Sequence, residues 1–270
     1  MTRGFAIFAL AAATLLPLGA AAQVYSGVRP VARSTDPAEL AALATKREII
    51  ERLRMGSDEE AQGNWQAAGV QFTRVLALHP GEPQGSTTYY DLALAQAQLG
   101  DYTGATASLH AAIALDDTFL AARANLVDVD LLNDDPAAAK RDAADLLARA
   151  PASARALYMD GVVALRAGDA DTALHDFGAL LTHNPTYSTG HYDLALAQLQ
   201  SNHLEEAERE LRAALSSAPS FARARFALAM VLLREGRRTE ARVAFDRAAQ
   251  DAADIALRSV ALSMRDSLQN

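Results

Sequence analysis

Apolar residues recur along this 270-residue chain at the spacing of an amphipathic helix, and the helical pattern itself repeats. Tyr89, Leu92 and Ala93, for example, fall on one face of a predicted helix. An alanine marks each repeat of the pattern. These alanines are Ala68, Ala105, Ala139, Ala173, Ala207 and Ala241. The last five are 34 residues apart and the first gap is 37, which predicts a chain built from similar structural units.

Three further positions share this period. Five residues before the alanine stand Gly63, Gly100, Asp134, Gly168, Asn202 and Gly236. Four residues after it stand Phe72, Leu109, Ala143, Phe177, Leu211 and Phe245. Twelve residues after it stand Pro80, Asp117, Pro151, Pro185, Pro219 and Ala253.

Each position has a physical role in a pair of helices. Glycine or asparagine ends the first helix, because these residues readily adopt the left-handed conformation. The alanine lies where the two helices cross most closely, and the larger residue one turn later fills the space beside it. Proline closes the second helix. One such hairpin cannot bury its apolar face alone, so the pattern predicts a stack of hairpins.

These positions resemble the tetratricopeptide-repeat family, whose 34-residue helix–turn–helix unit they match. The resemblance implies an all-α, right-handed superhelical solenoid of about six units with capping helices at both ends. An unrelated helical bundle is the alternative, but a bundle requires no fixed 34-residue period. The predicted repeats span residues 49–82, 86–119, 120–153, 154–187, 188–221 and 222–253.

The two ends carry distinct signals. Residues 1–22 combine a basic start, an apolar run and small residues before Gln23, which predicts a cleaved secretory signal peptide. An uncleaved membrane anchor is the competing interpretation, although the run is short for a bilayer span. Residues 23–35 are predicted to form a flexible leader, 36–48 an N-terminal cap beginning at Asp36-Pro37, and 254–270 a C-terminal capping helix.

Composition and charge limit the functions that are possible for this chain. Half of the residues are hydrophobic and alanine dominates them, which favours closely packed helices. The full chain has 25 basic and 33 acidic residues, and loss of Arg3 with the signal peptide leaves 24 against 33. No nucleic-acid partner is therefore expected. The absence of cysteine excludes a lipoprotein acyl site, so we expect a soluble protein, exported to the bacterial periplasm or cell envelope, with no stable membrane insertion.

The chain contains few residues or motifs that indicate catalysis or metal binding. The chain has no cysteine and none of the common hydrolase, zinc-protease or phosphate-binding motifs. His175, His183 and His191 recur every eight residues, but their predicted directions diverge. We therefore predict no catalytic residue, no metal site and no cofactor.

The repeats depart from their pattern at a few charged positions. Arg123 and Asp130 stand at apolar positions of the third repeat, and Asp160 does so in the fourth. A buried lone carboxylate is unfavourable unless it is paired. One hypothesis pairs Asp160 with Arg123, and the alternative is that a local shift exposes Asp160 to water.

In the tetratricopeptide-repeat family the first helix of each repeat lines the concave face, where ligands usually bind. The resemblance thus implies a partner-binding groove of aromatic and aliphatic residues flanked by arginines. Its predicted residues are Tyr90, Leu94, Arg155, Tyr158, Val162, Leu165, Arg166, Tyr192, Leu196, Leu199, Arg223, Phe226, Met230 and Arg234. The alternative for the three tyrosines is that they only pack between neighbouring helices. The Lys/Asn clamp that some family members use for C-terminal carboxylates is absent, since the inner positions hold Leu94, Asp128, Val162, Leu196 and Met230.

The sequence therefore predicts a non-catalytic scaffold that binds another protein or a peptide segment in this groove. A second hypothesis makes the chain an accessory subunit of an envelope enzyme or of a secretion or polysaccharide-export complex. A third, a catalytic or metal-carrying protein, requires turnover or bound metal in the purified chain. The sequence indicates neither the partner nor the oligomeric state.

Overall fold

The computed structural model describes residues 36–268, which form thirteen α-helices and no strand. The helices are α1 (Pro37–Ala61), α2 (Trp65–Ala77), α3 (Gln84–Gln98), α4 (Tyr102–Leu115), α5 (Leu120–Leu132), α6 (Pro136–Arg149), α7 (Ala154–Ala167), α8 (Ala170–His183), α9 (Ser188–Gln200), α10 (Leu204–Ser217), α11 (Ala222–Arg234), α12 (Arg238–Asp251) and α13 (Ile255–Ser267). The predicted all-α class is confirmed. The predicted signal peptide (1–22) and leader (23–35) lie outside the described residues.

The chain divides into two compact units, one ending at Asp142 and one starting at Ala143, so the division falls within α6. In the first unit, each helix from α1 to α4 packs against the next helix in sequence. In the second unit, each helix from α7 to α12 packs against the next one, and α7 also contacts α9. Packing between sequence neighbours is what a stack of helical hairpins requires.

The first helix, α1, runs without a break through the segment predicted to cap the stack and into the first predicted repeat. It begins as the sequence predicts. Pro37 takes the first helical position, and the Asp36 side chain accepts a hydrogen bond from the Ala38 amide at 2.9 Å. At the other end, α13 packs against α12 and buries Leu257 and Ala261.

The turns between paired helices confirm the predicted left-handed residues. Backbone φ is positive at Gly63, Gly100, Asp134, Gly168, Asn202 and Gly236. At the four glycines φ lies between 77° and 79°, a region that L-residues with a side chain seldom occupy. Local backbone preference therefore sets the end of each first helix.

The predicted close crossings are confirmed as well. All six marker alanines are fully buried, and so are the residues one turn later. Where that residue is phenylalanine, the facing helix can carry glycine. A Cβ on Gly56 would lie 2.5 Å from Phe72 Cε1, and one on Gly161 would lie 2.8 Å from Phe177 Cε1. Small residues on the first helices thus make room for large ones on the second.

The charged residues of the third repeat are buried with partners from the first unit. The Arg123 guanidinium donates to the Asp117 carboxylate at 2.5 Å. Asp130, only 3% exposed, shares a hydrogen bond with Asp142. Burial and this second carboxyl raise the pKa of Asp130 to about 7.

Candidate functional site

Three helices of the second unit, α7, α9 and α11, carry most of the residues predicted to bind a partner. Because the repeats are 34 residues apart, equivalent positions form rows across these helices. Val162, Leu196 and Met230 form one such row, which we call the central row. All three side chains are half-buried and pack at the edge of the hydrophobic core clusters. The central row therefore leaves part of three large apolar side chains exposed to solvent.

The aromatic row lies one helical turn earlier and consists of Tyr158, Tyr192 and Phe226. The Tyr192 ring is 8% exposed and lies 5.1 Å from the Phe221 ring, measured between centroids. The Tyr158 ring lies 5.8 Å from that of Tyr187. These rings pack within the unit, but Tyr158 and Phe226 stay half-buried and keep part of their surface accessible.

Leucines and arginines border the two rows. Leu165 is buried, whereas Leu199 is half-buried. Of the four predicted arginines, Arg155 and Arg223 near the helix starts are half-buried. Arg166 and Arg234 at the helix ends are exposed. The arginines thus occupy both ends of the α7–α9–α11 face, the surface that carries the central and aromatic rows.

Two predicted residues, Tyr90 and Leu94, lie in the first unit and are 3% and 4% exposed. The Tyr90 ring packs 5.1 Å from that of Phe119. Its hydroxyl accepts a hydrogen bond from Asn125 Nδ2 at 2.9 Å. Tyr90 and Leu94 both belong to the buried hydrophobic core formed by α3 and its neighbours.

Asp193 on α9 is a buried carboxylate that is not among the predicted groove residues. It is 8% exposed, the Tyr158 hydroxyl hydrogen-bonds to it, and the positive charge of Arg223 attracts it. Among the described residues, its Oδ2 atom has no hydrogen-bond partner. Burial raises the pKa of Asp193 to about 7, although Tyr158 and Arg223 oppose the rise. Burial and this neighbouring carboxylate raise the pKa of Tyr192 to about 12.

The repeat register contained the signal for Asp193. The same position holds Asp91, Asn125, Met159 and Ala227 in other repeats. Methionine and alanine at the equivalent positions show that an apolar residue fits there. A charged residue at this position therefore indicates that its surroundings differ from those in the other repeats. Asp91 shows the same effect in the first unit, where burial and Glu60 raise its pKa to about 8.

The histidines that recur every eight residues do not come together. His191 Nδ1 lies 2.6 Å from Glu210 Oε2, and its Nε2 lies 3.0 Å from the carbonyl oxygen of Pro185. The exposed His175 contacts its neighbour Asp176. Within residues 36–268, no three His, Asp or Glu side chains are grouped so that they could hold a metal ion. Across the same range, no helix combines the length and apolar character needed to cross a bilayer.

Comparison with known proteins agrees with this repeat architecture. A family model for the tetratricopeptide repeat matches residues 53–118, 125–188 and 192–255, which together make up more than half of the chain. No curated protein sequence matches the chain.

Solved structures share the fold at low sequence identity. The APC/C hetero-tetramer Cut9–Hcn1 aligns with a TM-score of 0.69 at 16% identity over 85% of this chain, which spans only 45% of that structure. A thermophilic repeat protein of Thermus thermophilus aligns with a TM-score of 0.58 at 21% identity, covering 66% of this chain and 98% of that one. Pseudomonas aeruginosa pilF aligns with a TM-score of 0.59 at 22% identity, covering 68% and 89%. At these identities the likeness concerns the fold alone.

Proposed function

The chain belongs to the tetratricopeptide-repeat family, and we propose that it is a non-catalytic scaffold that binds a segment of another protein on the α7–α9–α11 face. Proteins of this family generally mediate protein–protein interactions and generally do not catalyse reactions.

The main support for the proposal is the partial exposure of the central row. Val162, Leu196 and Met230 are half-buried at equivalent positions of three successive repeats. A partner that covers their exposed parts completes the burial of apolar surface, which favours binding by roughly 25 cal/mol per Å² removed from water. A row of aliphatic groups at regular spacing suits a helical or extended segment with apolar residues at matching intervals.

Charge selects the segment further. Arginines stand at both ends of the α7–α9–α11 face, although the whole chain carries a net charge of −8. Positive ends on an otherwise acidic protein favour a segment with acidic residues beside its apolar ones, and they disfavour basic segments. The proposed ligand is therefore an apolar segment with acidic flanks.

Selection from a displayed library of random dodecapeptides tests this assignment. We expect the purified chain to enrich peptides with apolar residues and acidic flanks. The double substitution Leu196→Ser with Met230→Ser should weaken their binding at least tenfold. Val243→Ser is the matched control, since Val243 is 47% exposed but lies on α12, outside this face. Equal binding by all three proteins would show that the segment binds elsewhere.

We further propose that the chain works in the periplasm or cell envelope. The support is the apolar N-terminal run and the small residues before Gln23. Mass spectrometry of the protein purified from its native cells should find a chain that starts at Gln23 and is released with the envelope fraction. A chain that retains residues 1–22 in the cytosolic fraction would contradict this location while leaving the binding surface unaffected.

A further inference from the structure

The buried carboxylate of Asp193 is not explained by the fold. Tyr158 and Asp193 are 35 residues apart, and so are Tyr90 and Asn125 of the first unit. In both pairs the tyrosine hydroxyl hydrogen-bonds to the second residue. Since an asparagine amide makes this contact in one unit, a carboxylate is not needed for it in the other. The carboxyl group at position 193 therefore calls for a different reason.

The unsatisfied oxygen suggests what that reason is. Asp193 is more than nine-tenths buried, and its Oδ2 lacks a hydrogen-bond partner among the described residues. A buried acceptor without a donor is destabilising, so such groups are few in native proteins and each one requires an explanation. A donor supplied by a bound molecule would satisfy the oxygen.

The neighbours of Asp193 place it within the proposed binding surface. Tyr158 on α7 hydrogen-bonds to it, Tyr192 precedes it on α9, and Arg223 on α11 attracts it. All three belong to the predicted groove. Tyr158 and Arg223 are half-buried, so rotation of their side chains can open a path to the carboxylate.

We propose that Asp193 is a specificity-determining residue of the α7–α9–α11 face, and that its carboxylate accepts a hydrogen bond from a neutral N–H group of the bound segment. A neutral amide fits better than a lysine, because Arg223 already supplies the positive charge beside Asp193. A second cation would be repelled by Arg223 and by the arginines at the ends of the face. This inference rests on the proposed function, and it adds a polar contact to the apolar central row.

The test uses peptides enriched from the random dodecapeptide library by the purified chain at pH 8. Each backbone amide of the best peptide is methylated in turn, which removes one N–H donor at a time. We expect one methylated position to weaken binding to the wild-type chain about tenfold, the scale of a hydrogen bond to a charged group. With Asp193→Asn, the unmodified peptide should bind more weakly and the same methylation should have a clearly smaller effect.

Asp91→Asn is the matched control, because Asp91 holds the equivalent position in repeat 2, outside this face. It should bind the peptide, and respond to each methylation, as the wild-type chain does. The inference is overturned if Asp193→Asn binds like the wild type, or if methylation weakens binding to both proteins equally. Failure of the library to yield any peptide would instead overturn the proposed function, and this inference with it.

Discussion

Replacement of Asp193 by asparagine should change how the stability of the protein depends on pH. In the folded chain the pKa of Asp193 is about 7, and in the unfolded chain we take it near the ordinary value of 3.8. The folded state therefore holds this proton more tightly. The stabilising contribution of the protonated carboxyl is complete below about pH 4 and is lost as the pH rises to about 7.

The size of the effect follows from the two pKa values. The difference between about 7 and 3.8 corresponds to about 4 kcal/mol of stability lost between these pH values. The asparagine of the variant carries no charge, and it can make the same hydrogen bond to Tyr158 that Asn125 makes to Tyr90. The variant should thus match the wild type at about pH 4 and exceed its stability at about pH 8.5 by up to about 4 kcal/mol.

Urea unfolding at both pH values, followed by circular dichroism, measures this difference. Other titrating groups are common to both proteins and cancel when the variant is compared with the wild type at each pH. Glu51→Gln, at an exposed position of α1, serves as the control and should leave the pH dependence unchanged. A variant whose stability relative to the wild type is the same at both pH values would refute the view that burial holds the proton on Asp193.

Three further predictions concern other parts of the structure and are tested by urea unfolding. Asp91→Asn should also stabilise the chain at high pH. The gain in stability over the wild type should grow up to about pH 8, because that is the pKa of Asp91. No gain above pH 8 would contradict this prediction. Gly161→Ala should destabilise by about 1–3 kcal/mol, since its methyl group meets Phe177, and adding Phe177→Leu should restore part of the loss. Gly168→Ala should destabilise the protein by about 1 kcal/mol because φ at this residue is 79°. Asn202→Gly should be neutral or slightly stabilising. Equal effects of the two substitutions would argue that these turns do not require a left-handed residue.

Local chemistry explains why so much of the fold could be predicted from the sequence. The left-handed turns at Gly100 and Gly168 depend on one residue and its own backbone. The burial of Ala105 and Ala173 depends on one helix crossing that recurs with the same period. Features of this kind recur in the successive 34-residue repeats, so the regular spacing reveals them without knowledge of long-range contacts.

The candidate site was harder to predict, because it depends on three helices at once. The register placed Tyr192 on the binding surface, but its packing against Phe221 buries most of the ring. In the sequence, Asp193 is one more polar residue of a helix. Its desolvation can be recognised only when the residues of α7 and α11 that surround it are known. The single sequence signal was a carboxylate at a position that holds Met159 and Ala227 in other repeats.

The most direct test of the account is a site-specific cross-link from the central row in the native cell. A photoreactive benzoylphenylalanine replaces Leu196 in one protein and Val243 in a control. Irradiation followed by mass spectrometry should join position 196 to one apolar segment with acidic flanks in a partner protein, and position 243 should give no such adduct. An adduct with that segment from position 243 and none from position 196 would contradict a binding surface on α7, α9 and α11.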